Sequence, residues 1–554
     1  MKKTILAALL FVPACINVYA QEQDYGKKVT VTGSVQSDWQ VAVGSQDAGS
    51  GLDAGDVRTN TYAEVALMSK HVDAGVRAEY LQHPLAGFEK DFKGWGVPFG
   101  YVKVHYNKWD LTAGSFYEQF GSGFILRTYE ERSLGIDNHL RGGRLTLRPY
   151  KGIQMKVLSG MQRTYWDTSR SAISGADVEL NIDQWSKRMS ENGTYLTLGA
   201  SYVNKYERDE TLLVDATHRL RFPNFVNAMD FRANFQKNGF NVLAEYALKT
   251  QDPGYRNGYI YKKGNVAMLS AAYSKKGMSV LVQAKRSDNM SFNSERSLTY
   301  TNAGMVNHLP AFTMDHTYSL AALYPYATQP DGEWAFQGQF GYIFKKGTPL
   351  GGKYGTELKL NASYVRGLQR TLLDSPADNL SYGMAGTDGY TTKFFQMGGR
   401  YYQDFNVQID KKINKQLKLN FMYMNQLYNK TVVEGEGGLI HSNILVGEAK
   451  YRFNKKYTLR GELQYLRTKD DQRDWGFALV ELSLMPHWMF TVSDMWNWGS
   501  TNNHYYQASA TYNYKSHRLQ VGFGRTRAGF NCSGGVCRYV PETKGFTASY
   551  NYNF

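Results

Sequence analysis

Hydrophobic and polar residues alternate along most of this chain. In "TELKLNASYV" (356–365), Leu358, Leu360, Ala362 and Tyr364 share one face, and Glu357, Lys359, Asn361 and Ser363 the other. "YTLRGELQYL" (457–466) separates Tyr457, Leu459, Leu463 and Tyr465 from Thr458, Arg460, Glu462 and Gln464. "YYQASATYNY" (505–514) sets Tyr506, Ala508, Ala510, Tyr512 and Tyr514 against Gln507, Ser509, Thr511 and Asn513. A period of two puts successive side chains on opposite sides of a strand. The runs carry charge on the polar side and last roughly ten to twelve residues, about what a tilted strand needs to cross a bilayer. The predicted class is all-β: a transmembrane up-and-down antiparallel β-barrel with no separate soluble domain.

The connections support that prediction. Short ones, such as "YNKWD" (106–110), "FQKNG" (235–239), "YSKKG" (273–277), "FNKKY" (453–457) and "YKSHR" (514–518), alternate with long ones rich in Gly, Asp and Asn, at 44–57, 82–96, 207–225, 289–312 and 367–391. Short turns on one side and long loops on the other are the habit of outer-membrane barrels. A propeller would show a blade-length repeat, and none is present. A direct count gives about 25 strands, but two chain ends on one side require an even number. The in/out parity breaks between about residues 313 and 392, so the expectation is 24–26 strands, odd numbers excluded.

The final run, "GFTASYNYNF" (545–554), keeps Phe546, Ala548, Tyr550, Tyr552 and Phe554 on one face. An unpaired edge in lipid is costly, so this strand is predicted to pair with the first, near 28–43. There Val29, Val31, Val35, Trp39, Val41 and Val43 supply the apolar face. Phe546, Tyr550, Tyr552 and Phe554 together form a candidate signal for the barrel-insertion machinery.

Composition narrows the class. Mean hydropathy is −0.48, and nothing after residue 20 approaches the roughly 18 apolar residues of a spanning helix. Both observations suit a barrel in which alternate residues face water. "MKKTILAALLFVPACINVYA" (1–20) has the charged, apolar and small-residue regions of a cleaved signal peptide, with Val12–Cys15 as a competing lipoprotein site. The expected division is signal peptide 1–20, a short periplasmic stretch 21–27 and a barrel over 28–554. So little chain before the first strand leaves no room for an N-terminal plug or periplasmic module. Export leaves Cys532 and Cys537, in "NCSGGVC", as a predicted local disulfide rather than a metal site.

The formal net charge is +15. Lys and Arg concentrate in the short turns, where each would contribute about 1 kcal/mol against anionic headgroups. They form no run or stripe, which argues against nucleic acid. Expected partners are outer-membrane lipid and lipopolysaccharide, the insertion machinery and envelope proteins. Trp109, Trp488 and Trp498 fit interfacial girdles.

A barrel this wide needs occlusion. The candidate is 116–148, "FYEQFGSGFILRTYEERSLGIDNHLRGGRLTLR", which breaks the strand rhythm and packs charge among aliphatics. Gly121 and Gly123 permit a fold-back. Glu118, Arg127, Glu130, Glu131, Arg132, Asp137 and Arg141 are the expected lumen constriction, selecting permeants by charge; an exposed loop is the competing reading. The Asp-rich stretches 45–58 and 469–475 match no calcium-loop spacing. Neither catalytic residues nor metal ligands nor a cofactor motif is recognisable, so a non-enzymatic protein is expected.

At 116–143 and 531–554 the chain resembles a family of large uncharacterised outer-membrane proteins of Bacteroidota, whose members tend to end in Ser-Ser-Phe rather than the Tyr-Asn-Phe found here. The resemblance implies an outer-membrane barrel and brings no established activity. Two functions follow as expectations: a porin-like channel with a charged constriction, or an accessory subunit of a surface assembly or secretion complex.

Overall fold

The computed structural model describes residues 29–44, 53–213, 216–299, 303–373 and 384–554. The predicted signal peptide and the stretch 21–27 lie outside the described residues, as does 45–52. What is described is a closed antiparallel barrel of 24 strands, running from Thr30–Ala42 to Thr543–Asn553, each paired with its neighbours in chain order. A two-residue piece, Asp167–Thr168, extends the sheet at one rim.

The parity break has a definite cause. Between the strands Met278–Asp288 and Gly332–Phe344 the described residues make no wall strand, so the connection expected to end at 312 continues to Asp331. With that segment taken out of the wall, both ends of the barrel sequence come to the side of the short turns.

Burial runs opposite to that of a soluble sheet. In the strand Tyr457–Thr468, Leu463 is 69% exposed while Glu462 and Gln464 are 4% and 5% exposed. Apolar residues face outward and polar ones inward, which only a lipid surround makes favourable. Exposed Trp488 sits at the short-turn end, and exposed Trp496 and Trp498 at the long-loop end.

The seam closes as the alternation requires. Ser34 to Ala42 pair with Asn553 to Gly545, and the Phe554 amide and carbonyl each bond Gly33 at 3.0 Å. Gly33 is needed there: a Cβ would lie 2.3 Å from the Phe554 ring.

The largest apolar core is inside the barrel. Phe120, Phe124, Ile125 and Leu126 meet Val306, Leu309, Phe312 and Leu320, packed against wall residues such as Val226, Ile444 and Leu466. These residues come from two inward connections, 117–139 and 289–331.

Candidate functional site

The first connection leaves the strand Trp109–Phe116 and returns at Leu140–Leu147, whose ends are direct partners. Gly121 (φ 51°) and Gly123 (φ 91°) make the reversal, and the bridge Gln119↔Arg127 closes it. At the tip, Ser122 donates from its amide and its hydroxyl to the two carboxylate oxygens of Glu245 on the wall, at 2.8 and 2.5 Å.

The charges of this connection are spent on the wall. Arg163 reaches Asp137 at 2.5 Å and Glu79 at 2.8 Å, and Arg77 reaches Glu79 at 2.8 Å, Glu130 at 3.1 Å and also Asp137. Tyr117 and His139 complete the shell of Asp137 at 2.8 and 2.9 Å. Burial pushes the Asp137 carboxyl up, but the His139 hydrogen bond and the two guanidiniums outweigh it and hold the group well below the usual carboxylate range. Arg132 binds Glu130 at 2.5 Å, also Glu64, and lies over the Tyr62 ring at 4.5 Å.

The remaining sequence candidates divide. Glu118 is buried between Arg144 and Lys156, at 3.0 and 2.9 Å. Arg127 stacks on Tyr129, and Glu131 caps Ser133. Arg141 lies one step out of phase with inward Leu140 and Arg144; it is exposed and donates to the Pro98 carbonyl at 2.7 Å. The expected segment 116–148 is therefore too long, since 140–147 is a wall strand. Its acids and bases do not face each other across an opening. Glu118, Glu130, Arg132 and Asp137 pin the segment to Glu64, Arg77, Arg144, Lys156 and Arg163.

The second connection was not foreseen as a lumen element. Its backbone is held by inward wall side chains: Lys205 to the Asn293 carbonyl at 2.9 Å, Lys285 to that of Pro310 at 2.6 Å, and Lys249 to that of Ser291. Gln464 accepts from the Leu320 amide at 2.8 Å, Gln426 donates to the Tyr324 carbonyl at 3.1 Å, and His316 contacts Asp404 at 2.6 Å. The partners are drawn from strands around much of the circumference. Arg127 and His308 exchange backbone bonds with Val306 and Gly123, at 2.9 and 3.0 Å, joining the two connections. The sequence signal was present: this stretch holds Phe292, Val306, Leu309, Phe312, Leu320 and Leu323, too apolar for an outer loop.

A third piece locks them. Cys532 and Cys537 are disulfide-bonded across the hairpin of Gly529–Ser533 and Val536–Val540. Its Gly534–Gly535 turn receives the His308 ring at 3.1 Å and the Thr328 amide at 2.9 Å. A Cβ on Gly535 would strike Thr328 at 2.3 Å, so glycine permits the close approach. Arg538 donates to the carbonyls of Ala86 and Ser133 at 3.2 and 3.0 Å. The hairpin thus turns onto its own lumen rather than outward.

Towards the short-turn end the inward face opens. Along Tyr457–Thr468 the Arg460 side chain is 26% exposed while Glu462, one inward step higher, is 4%. Lys359, Lys418 and Glu481 are likewise accessible at this level. The inward face is charged and solvent-accessible below, and above it is packed with apolar residues and buried ion pairs. Of the acidic stretch 469–475, Asp471 is taken by Lys430 and Tyr324 and Asp470 by the His441 amide. Among the described residues no cluster of metal ligands occurs.

Solved structures of similar outline include the siderophore receptor PirA from Pseudomonas aeruginosa (10% identity, TM-score 0.42, 95% of this chain and 80% of that one). The P pilus usher (PapC) translocation pore is similar at 9% identity and TM-score 0.44 (95% and 98%). Acinetobacter baumannii OccAB3 is similar at 7% identity and TM-score 0.35 (95% and 99%). At such scores the likenesses carry no argument about this chain. No curated protein matches it. The model of a family of unknown function matches residues 1–554.

Proposed function

The chain belongs to that family, DUF6029, and from this premise we propose that it is a non-enzymatic outer-membrane channel, closed at rest by its own connections and opened when they move. The short turns face the periplasm and the long loops the exterior, as in other outer-membrane barrels, in a Gram-negative envelope of the kind the Bacteroidota resemblance implies. One observation carries the reading: the outer part of the lumen is a packed apolar core while the periplasmic part is a charged, water-accessible cup. A barrel meant for permanent solidity would gain nothing from wetting one end. Solutes then meet the charged cup first from the periplasm, and its Lys, Arg and Glu side chains set preference by charge.

Planar-bilayer recording tests this. The intact protein gives little or no steady conductance, and a variant with 303–328 replaced by a short Gly/Ser linker gives a large one. A large steady current from the intact protein sinks the self-closed reading. The sealed lumen also favours a second reading, an accessory subunit of an envelope assembly. A stoichiometric co-purifying protein, with both proteins silent in bilayers, would select it.

A further inference from the structure

The outward face of the wall carries the same polar triad twice. Tyr202 and Asn204, on the strand Thr194–Tyr206, both donate to Oδ1 of Asn227 on the neighbouring strand, at 2.6 and 2.8 Å. Tyr423 and Asn425, on Leu417–Asn429, both donate to Oδ1 of Asn443 on the next strand, at 2.8 and 3.1 Å. The register is identical: Asn204 pairs directly with Asn227, and Asn425 with Asn443. Between each Tyr and Asn lies a fully buried inward residue, Val203 or Met424, and both tyrosines are 40% exposed. Both triads therefore point away from the lumen, beside exposed Met229 and Leu445.

Height decides what they meet. The four asparagines lie eight to ten residues from the short-turn ends of their strands. With about 3.3 Å per residue and a tilt of roughly 40°, that is about 20–25 Å, the height of the apolar band of an outer-membrane barrel. The triads thus stand at the band's upper border. The Oδ1 atoms of Asn227 and Asn443 each accept from two donors, so what these two side chains have left to offer is their Nδ2 hydrogens. Arg467, the direct partner of Asn443, is exposed and forms no salt bridge among the described residues, adding a cation at that border.

We propose that the two triads are similar seats for lipopolysaccharide, the one beside Arg467 the tighter. The Asn N–H groups bond phosphate and acyl-carbonyl oxygens at the head–tail junction of its lipid moiety, and the tyrosine rings lie along the first acyl carbons. Donors fixed at the outer border, with apolar residues directly beneath, match an acceptor-rich headgroup above several chains. This inference rests on the outer-membrane reading above.

The test counts retained lipid. Full-length protein extracted in mild detergent is supplied with purified lipopolysaccharide or phosphatidylglycerol and examined by native mass spectrometry, with heat-modifiable gel migration verifying the fold. The expected result is two lipopolysaccharides on the wild type, one on Asn227→Leu or Asn443→Leu, and none on the double variant. Tyr202→Phe and Tyr423→Phe, which keep the rings, lower occupancy several-fold. Lipopolysaccharide absent from the wild type, two copies kept by the double variant, or phosphatidylglycerol lost in parallel with lipopolysaccharide overturns the proposal. An outer-membrane-resident barrel that binds none overturns this inference alone; a protein that never reaches that membrane overturns the functional reading as well.

Discussion

The two connections that fill the lumen are held by different physics. The segment 117–139 is clamped through ion pairs, with Asp137 set against buried Arg77 and Arg163, Glu130 against Arg77, and Arg132 against half-exposed Glu64. The segment 289–331 contributes fewer charges, chiefly Arg296 on Glu207 at 3.1 Å and His316 on Asp404 at 2.6 Å; wall lysines and amides grip its carbonyls and amides, and apolar packing adds to these. Both grips involve buried charge, but in the first the charge sits largely on the segment itself, whereas in the second it sits mainly on the wall and the segment offers mostly neutral carbonyls and amides. On the channel reading proposed above, the first segment is the fixed frame and the second the part that moves.

That contrast can be attacked from its strongest consequence downward. Replacing 303–328 by a linker removes the moving part and should take conductance from near zero to that of an open pore. Shortening the tip of 117–139 around Ser122 should give a much smaller rise. Asp137→Asn leaves Arg77 and Arg163 facing a neutral amide and should cost about 3–5 kcal/mol of stability, the scale for breaking one side of a buried pair. Shifted unfolding in urea would measure it, and a loss below about 1 kcal/mol would show that the clamp is unimportant. Cys532→Ser, which opens a very short loop, should cost about 2 kcal/mol and raise the frequency of brief openings in single-channel records.

The smallest effect at neutral pH belongs to His308, whose ring hydrogen bond to Gly534 contributes about 1 kcal/mol. Burial first, then the nearby Arg127, lower its pKa from 6.5 to about 4, with Lys285 acting in the same direction. Between those values the unfolded chain binds more protons than the folded one. Stability from this group is therefore complete above about pH 6.5 and lost as pH falls towards 4. Acidification should loosen the latch, and His308→Gln should flatten that part of the pH profile of opening.

Much of this architecture could be read from alternation. The pairing of Thr543–Asn553 with Thr30–Ala42 followed from two apolar faces that needed each other. The fold-back at Gly121 and Gly123 followed from composition. Arg141 was misplaced although the same alternation, counted from Arg144, turns it outward. The partners of Asp137 and Glu130 were illegible, because Arg77 and Arg163 sit on strands distant in sequence and look there like ordinary inward polar residues. The inward course of 289–331 was hidden for another reason: packing inside a tube has no period. Its traces were the parity error between 313 and 392 and an apolar content too high for an outer loop.

Both lumen segments join neighbouring wall strands, Phe116 to Leu140 and Asp288 to Gly332. Being hinged at each end, neither can be ejected, traded or supplied by another molecule. If the barrel conducts as proposed, every excursion must be retraced by the same residues, and cargo has to slip past a door that never leaves its frame.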